Sequence, residues 1–284
     1  MFPSISFRFL SSQNFSGAMT LKNEAGWNQV EADWEFFLNI SPQGCFVAEY
    51  ENQVIGTAAT INYSHRFSWV SMVLVDPKFR GQGIARRLME LAIESVADLG
   101  LVRLDASDMG RPLYEKMGFV AECQIVRLLR SPGAAAEYFP QGMGPISADN
   151  LEAVCEADQQ VFGADRRGVL TNFLNRGPGN GWVKIVDGKV SGYIFTRNGT
   201  KAFHIGPLVA EDMETARELL LEMIHLHREK VIMLDTFASH TDWLNILKEA
   251  GFEPVRFLTR MNLDKNVEFG ITARQYALAG LEFG

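Results

Sequence analysis

Cysteine is scarce in this chain. Cys45, Cys123 and Cys155 are odd in number, far apart and in no metal-ligand spacing. A disulfide framework and a CxxC zinc site are therefore excluded, and no metal is expected. Long apolar runs are missing too, since none approaches the ~20 residues that span a bilayer. The opening MFPSISFRFLSSQNF lacks the charged start and long apolar core of a secretion signal. Positive charge is in deficit: 27 Lys plus Arg stand against 34 Asp plus Glu, a net charge of −7. A general nucleic-acid binder needs a basic face to displace counterions, so none is expected here. These absences predict a soluble, reduced, cytoplasmic protein with neither membrane nor nucleic acid as partner.

What is present is ordinary globular composition, 47% apolar and 21% charged over 284 residues. That is enough apolar material to bury a core, and the length suggests two domains at ~150 residues each. Ile5, Phe7 and Phe9 alternate with polar residues over Ser4 to Leu10, the period of a strand. Helical stretches follow near Gly17 to Glu24 and Gln29 to Asn39, with Gly26 ending the first. Cys45 to Tyr50 and Val54 to Tyr63 read as a hairpin around a polar turn. Trp69 to Val75 is almost continuously apolar, the pattern of a strand buried on both faces. After it come a helix from about Ile84 to Leu99, a strand Leu101 to Asp105, a short helix Arg111 to Met117 closed by Gly118, and a strand Val120 to Leu129.

The stretch Ser131 to Ser147 carries Pro132, Pro140 and Pro145 among several glycines, which is linker composition. It predicts one domain over residues 1–132, a linker over 133–146 and a second domain over 147–284. The second half repeats the first in order and in detail. Leu234-Asp235 ends a strand as Leu104-Asp105 does, and Lys248-Glu249-Ala250-Gly251-Phe252 matches Glu115-Lys116-Met117-Gly118-Phe119. Arg127 and Arg260 each lie eight residues past the phenylalanine of that motif. A tandem duplication of one α/β unit follows. Asp264 to Gly284 has no counterpart in the first half and is expected to pack across the second domain or the interface.

Arg80-Gly81-Gln82-Gly83-Ile84-Ala85 lies between the buried strand and an amphipathic helix. Glycines there let the backbone turn tightly and let a ligand reach the amides. The first-turn N–H groups have no helical partner and sit at the positive end of the dipole, so the loop suits a pyrophosphate. It is neither a Walker loop nor GxGxxG; alone it also fits a simple helix cap.

The run VLVDPKFRGQGIARRLMELA followed by LYEKMGF resembles the GCN5-related N-acetyltransferase (GNAT) superfamily over about Phe46 to Leu129. DASDMGRPLYEKMGF, the linker and the degenerate second copy resemble a bacterial subgroup with two GNAT-like domains in tandem. The resemblance implies an α/β (α+β) fold: two tandem domains, each a mixed, mostly antiparallel sheet flanked by helices, with a V-shaped splay between central strands. It implies acetyl-CoA as acyl donor, bound where the Trp69–Val75 and Leu101–Asp105 strands part. The pantetheine arm would run along Val73, Leu74 and Val75, pairing with backbone groups of Val73 and Val75. The loop Arg80, Gly81, Gln82, Gly83, Ile84, Ala85 and Arg86 would hold the pyrophosphate. Tyr114 matches the family tyrosine that donates to the coenzyme sulfur; its plainer role is packing at the sheet edge.

The family's general base is a Glu near where Ser71 stands, or one near Val102, and neither position is acidic here. Asp105 is a substitute, but Asp235 sits at the matching place in the copy without the loop, which favours a structural role for both. Glu24, Asp33, His65 and an ordered water chain are the other options. Glu24, Trp27 and Asn28 fall where the family places the acceptor wall, though Trp27 equally suits stapling two helices. The second half reads Ala210-Glu211-Asp212-Met213-Glu214-Thr215 in place of the glycine loop. Its acidic residues would repel a pyrophosphate, so one acetyl-CoA site per chain is expected. Asp165-Arg166-Arg167 either faces a cleft or starts a helix. The implied reaction is direct attack of a primary amine, small-molecule in kind, on acetyl-CoA in a ternary complex. The alternatives are a protein or peptide N-acetyltransferase and a non-catalytic acyl-CoA sensor. The oligomeric state, monomer or homodimer, stays open.

Overall fold

The computed structural model describes residues 5–133, 142–177, 179–264, 267 and 269–284. Most of the expected linker, residues 134–141, and Ser4 of the expected first strand lie outside the described residues. The chain packs as two compact units. The first comprises residues to Leu104 together with Gly199–Lys201 and Phe283; the second comprises the remainder from Asp105.

The first unit contains β1 (Ser6–Phe9), α1 (Phe15–Glu24), α2 (Glu31–Ile40), β2 (Cys45–Tyr50), β3 (Gln53–Tyr63), β4 (Phe67–Val75), α3 (Ile84–Glu94) and most of β5 (Leu101–Ala106). The strands lie in the order β1-β2-β3-β4-β5. The first three pairings are antiparallel and β4–β5 is parallel. Trp34, Phe37, Phe67, Trp69, Leu88 and Met89 are buried between the sheet and its helices. The parallel pair holds only over Phe67–Trp69 against Leu101–Arg103, although β4 runs on to Val75. That is the expected splay. α3 is shorter than its pattern suggests, ending at Glu94.

The second unit continues with α4 (Arg111–Lys116), β6 (Phe119–Arg130), β7 (Met143–Pro145), α5 (Ala148–Phe162), α6 (Arg167–Asn175), β8 (Gly181–Val186) and β9 (Lys189–Arg197). It is completed by β10 (Phe203–Ala210), α7 (Met213–Leu226), β11 (Ile232–Phe237), α8 (Thr241–Glu249), β12 (Phe252–Leu263) and β13 (Gln275–Ala277). The order is β12-β6-β11-β10-β9-β8-β7, with β13 added on β10. β10 and β11 are parallel only at Phe203–His204 against Ile232–Met233, a second splay. Leu208, Leu219, Leu220, Met223, Leu234, Trp243 and Leu247 form its core.

β6, the last strand of the first repeat, pairs antiparallel with β12 of the second repeat along its whole length and with β11 over Ile125–Arg130. No helix of the described residues is long and apolar enough to cross a membrane.

Candidate active site

The glycine loop takes the shape its residues demand. Asp76 Oδ1 accepts from the Lys78 amide at 2.8 Å and starts a single 3-10 turn at Pro77–Phe79. Gly81 and Gly83 then adopt φ of 77° and 80°, the left-handed region where a Cβ is strained. A Cβ on either would meet nothing within 4 Å, so the strain is in the backbone and the space above the loop is open. Gly83 caps α3 without a side chain, and the first helical bond runs from the Arg87 amide to Gly83 O at 3.0 Å. The amides of Ile84, Ala85 and Arg86 thus have no partner within the helix. Arg86 and Arg87 stand exposed on that turn and hold Glu90 at 3.1 and 3.3 Å, keeping its carboxyl below the usual range.

β4 leads into this loop with no strand of the described residues beside its second edge beyond Trp69. The Asp76 amide donates to Ile55 O at 2.9 Å, so Leu74, two residues back, also faces β3. By alternation the N–H and C=O of Val73 and Val75 face the side from which β5 has parted. Arg80 Nε donates to Val75 O at 3.2 Å on that side. A bulge at Met72 (φ 55°) shifts the register with β3, and the Thr57 hydroxyl satisfies Met72 O at 2.7 Å. Bulges of this kind re-aim the backbone beside sites. Glu24 borders a small cleft with Leu74, Val75 and Arg80, so one acceptor-side candidate meets three of the cofactor-side candidates. Ser71 is buried and its hydroxyl has no hydrogen-bond partner among the described residues.

Tyr114 lies in the second unit, 9% exposed, its ring 6.0 Å from that of Phe119. Burial pushes its phenol up to about 12, so it stays protonated and able to donate at neutral pH.

Three sequence candidates are held in hydrogen bonds of their own. Asp105 is no free base: its oxygens take Arg260 Nε and Nη2 at 2.9 and 3.0 Å, and the two side chains are 1% and 4% exposed. Asp235 does the same with Arg127 at 2.7 and 2.8 Å. Each repeat's strand aspartate is thus held by the other repeat's arginine. Asp33 caps α2 by accepting the Val30 amide at 2.7 Å. Asn28 is a clamp: its carbonyl accepts the Thr200 amide and its Oδ1 the Lys201 amide, both at 2.8 Å. Lys22, fully buried, adds a bond from Nζ to Thr200 Oγ1 at 2.7 Å. Burial and the charge of Lys201 lower its pKa. Lys22 and Thr200 carry no signal in the sequence, because 178 residues separate them and no local pattern links them. Trp27 is half-buried and His65 lies exposed on a turn. Arg166 forms a buried pair with Asp158, and Asp165 accepts the Arg167 amide at 2.8 Å, so that trio starts α6.

In the second unit the corresponding helix start is closed by its own side chain. Asp212 caps α7 by accepting the Thr215 amide at 2.8 Å.

A sequence model described as the acetyltransferase (GNAT) family matches residues 16–119, and one described as an acetyltransferase (GNAT) domain matches residues 154–273. The holothin acyltransferase of Pseudoalteromonas sp. (strain SANK 73390) is 26% identical over 259 residues, covering 91% of this chain and 87% of that one. A candidate acetyltransferase from Pyrococcus horikoshii superposes with a TM-score of 0.84 at 22% identity, over 100% of this chain and 97% of the other. A tandem GNAT protein from the clavulanic acid biosynthesis pathway gives a TM-score of 0.63 at 15% identity, over 93% and 100% of the two chains. At these identities the two solved structures show a shared fold.

Proposed function

Because this chain belongs to the GNAT acetyltransferase superfamily, with two such domains in tandem, we propose that it moves an acetyl group from acetyl-CoA to a small primary amine. The observation that carries the reading is the junction of an uncapped, glycine-started α3 with the edge of β4 that β5 leaves uncovered beyond Trp69. The loop amides from Gly81 to Arg86 hold the pyrophosphate, and the backbone groups of Val73 and Val75 pair with the amides of the pantetheine arm. The neutral amine attacks the thioester carbon, and the oxyanion that forms takes the Val73 N–H. Collapse breaks the carbon–sulfur bond, and Tyr114 gives its proton to the departing thiolate. The role of Tyr114 rests on its motif and its protonated state. The proton of the attacking amine leaves through water, with Glu24 the carboxylate beside that cleft.

A single defined acceptor is favoured by the relative of nearly equal length whose name is holothin acyltransferase. The test is thiol release from acetyl-CoA against small amines, polyamines and peptides. Turnover on a small primary amine is expected. Turnover on peptides alone would overturn the acceptor class, and tight CoA binding without turnover on any amine would make the protein a sensor.

A further inference from the structure

The second splay is filled by the chain itself. The two copies align residue by residue through their hairpins. Gly56↔Val75 corresponds to Gly192↔Ala210, Thr57↔Leu74 to Tyr193↔Val209, and Ile61↔Trp69 to Arg197↔His204. The parallel pairs agree, Ser68↔Val102 with Phe203↔Ile232. Leu208 therefore stands where Val73 stands, and Ala210 where Val75 stands. The Glu211 amide donates to Ser191 O at 2.8 Å, so the backbone groups of Leu208 and Ala210 face away from β9. There β13 lies antiparallel, with Leu208 opposite Ala277 and Val209 opposite Gln275. On the other side the Leu278 amide donates to Asp235 O of β11 at 2.8 Å. Gln275–Leu278 thus bridges the two parted strands.

The surroundings are built for this segment. Trp243 Nε1 donates to Tyr276 O at 2.7 Å. Tyr276 and Ala277 belong to the same core as Leu208 and Leu234. Gly206 stands where the first copy has Ser71, and a Cβ on it would fall 1.9 Å from Leu278 O. Two further cofactor features are replaced in kind. Asp212 puts a carboxylate on the helix start where Gly83 leaves the amides open. By the motif alignment, buried Leu247 takes the place of Tyr114.

We infer that Gln275–Leu278 is a built-in substitute for the pantetheine arm, a peptide strand that closes the second copy's cleft to acyl-CoA and holds that unit in its cofactor-filled form. The inference rests on the reading that the first unit takes the arm along β4. Added strands of this type bind through main-chain bonds, with pockets for alternate side chains.

Residue-resolved hydrogen exchange on the full chain, with and without acetyl-CoA, tests it. Without ligand the Leu208 and Ala210 amides should already exchange slowly, and acetyl-CoA should leave them unchanged. Val73 and Val75 should exchange fast and slow by about 10-fold or more on adding acetyl-CoA. The variant Gly206→Ser, which restores the first copy's residue, should displace Leu278 and speed exchange at Leu208 and Ala210 by a similar factor. Free exchange at Leu208 and Ala210 in the unliganded protein, or their protection by acetyl-CoA, overturns the inference, and neither needs the variant to fold. Silence at Val73 and Val75 alone overturns the reading of the first unit instead.

Discussion

Replacing Asp105 by alanine separates a structural carboxylate from a catalytic one. The wild-type carboxylate meets both donors of Arg260 at 2.9 and 3.0 Å with neither side chain more than 4% exposed. Two charges at about 4 Å in an effective dielectric of ~20 attract by about 4 kcal/mol. Removing one partner leaves Arg260 charged and buried, a loss of about 3–5 kcal/mol in comparable pairs. The Phe237 ring, 5.5 Å from the guanidinium, offers little compensation. Asp105→Ala should therefore lower the unfolding free energy by about 3–5 kcal/mol in urea, measured without acyl-CoA because ligand binding would mask the change. Asp105→Leu with Arg260→Met should recover most of it, since apolar pairs of similar volume replace buried ion pairs at little cost. Well below its unfolding transition, Asp105→Ala should keep its turnover within about 3-fold, far from the ~10²–10⁴-fold that loss of a general base gives. A variant of undiminished stability that loses turnover a hundredfold would make Asp105 the base and its pair with Arg260 incidental.

Tyr114→Phe should lower turnover by ~10²–10⁴-fold and leave acetyl-CoA affinity nearly unchanged, as steady-state rates and calorimetry would show. Asn28→Ala removes the acceptor for the Lys201 amide and should cost about 1–2 kcal/mol in thermal or urea unfolding, with its largest exchange increase at Gly199–Lys201. Burial works to raise the Asp235 carboxyl, but the charge and hydrogen bonds of Arg127, with His204, hold it far below the usual range. A depressed folded-state pKa means its contribution is present above about pH 4, the unfolded value, and is lost as pH falls below that. Urea midpoints should drop below about pH 4 in wild type, and Asp235→Asn should flatten that limb.

The parts legible in the sequence were those whose cause is local. Gly81 and Gly83 mark the loop because only glycine takes left-handed backbone there cheaply. The apolar run of β4 gives a central strand. The repeat of Asp105 in Asp235 pointed to a structural carboxylate, and the two arginine pairs supply the structure. Long-range choices were not legible. β6 carries a normal strand pattern, and nothing in Phe119–Arg130 says that its neighbours are β11 and β12 of the other repeat. Asn28 reads as a polar wall residue until Gly199–Lys201 is placed against it. Asp264 to Gly284 had no counterpart to align with, so its strand in the second splay came only from the fold.

Titration calorimetry with acetyl-CoA distinguishes a single acyl-CoA site at the glycine loop from any other arrangement. One site per chain is expected, and no measurable binding by Gly83→Glu, which puts a carboxylate where the pyrophosphate approaches, in a variant that stays folded by circular dichroism. Two equivalent sites per chain, or a single site that survives Gly83→Glu with unchanged affinity, would contradict a single site at the loop.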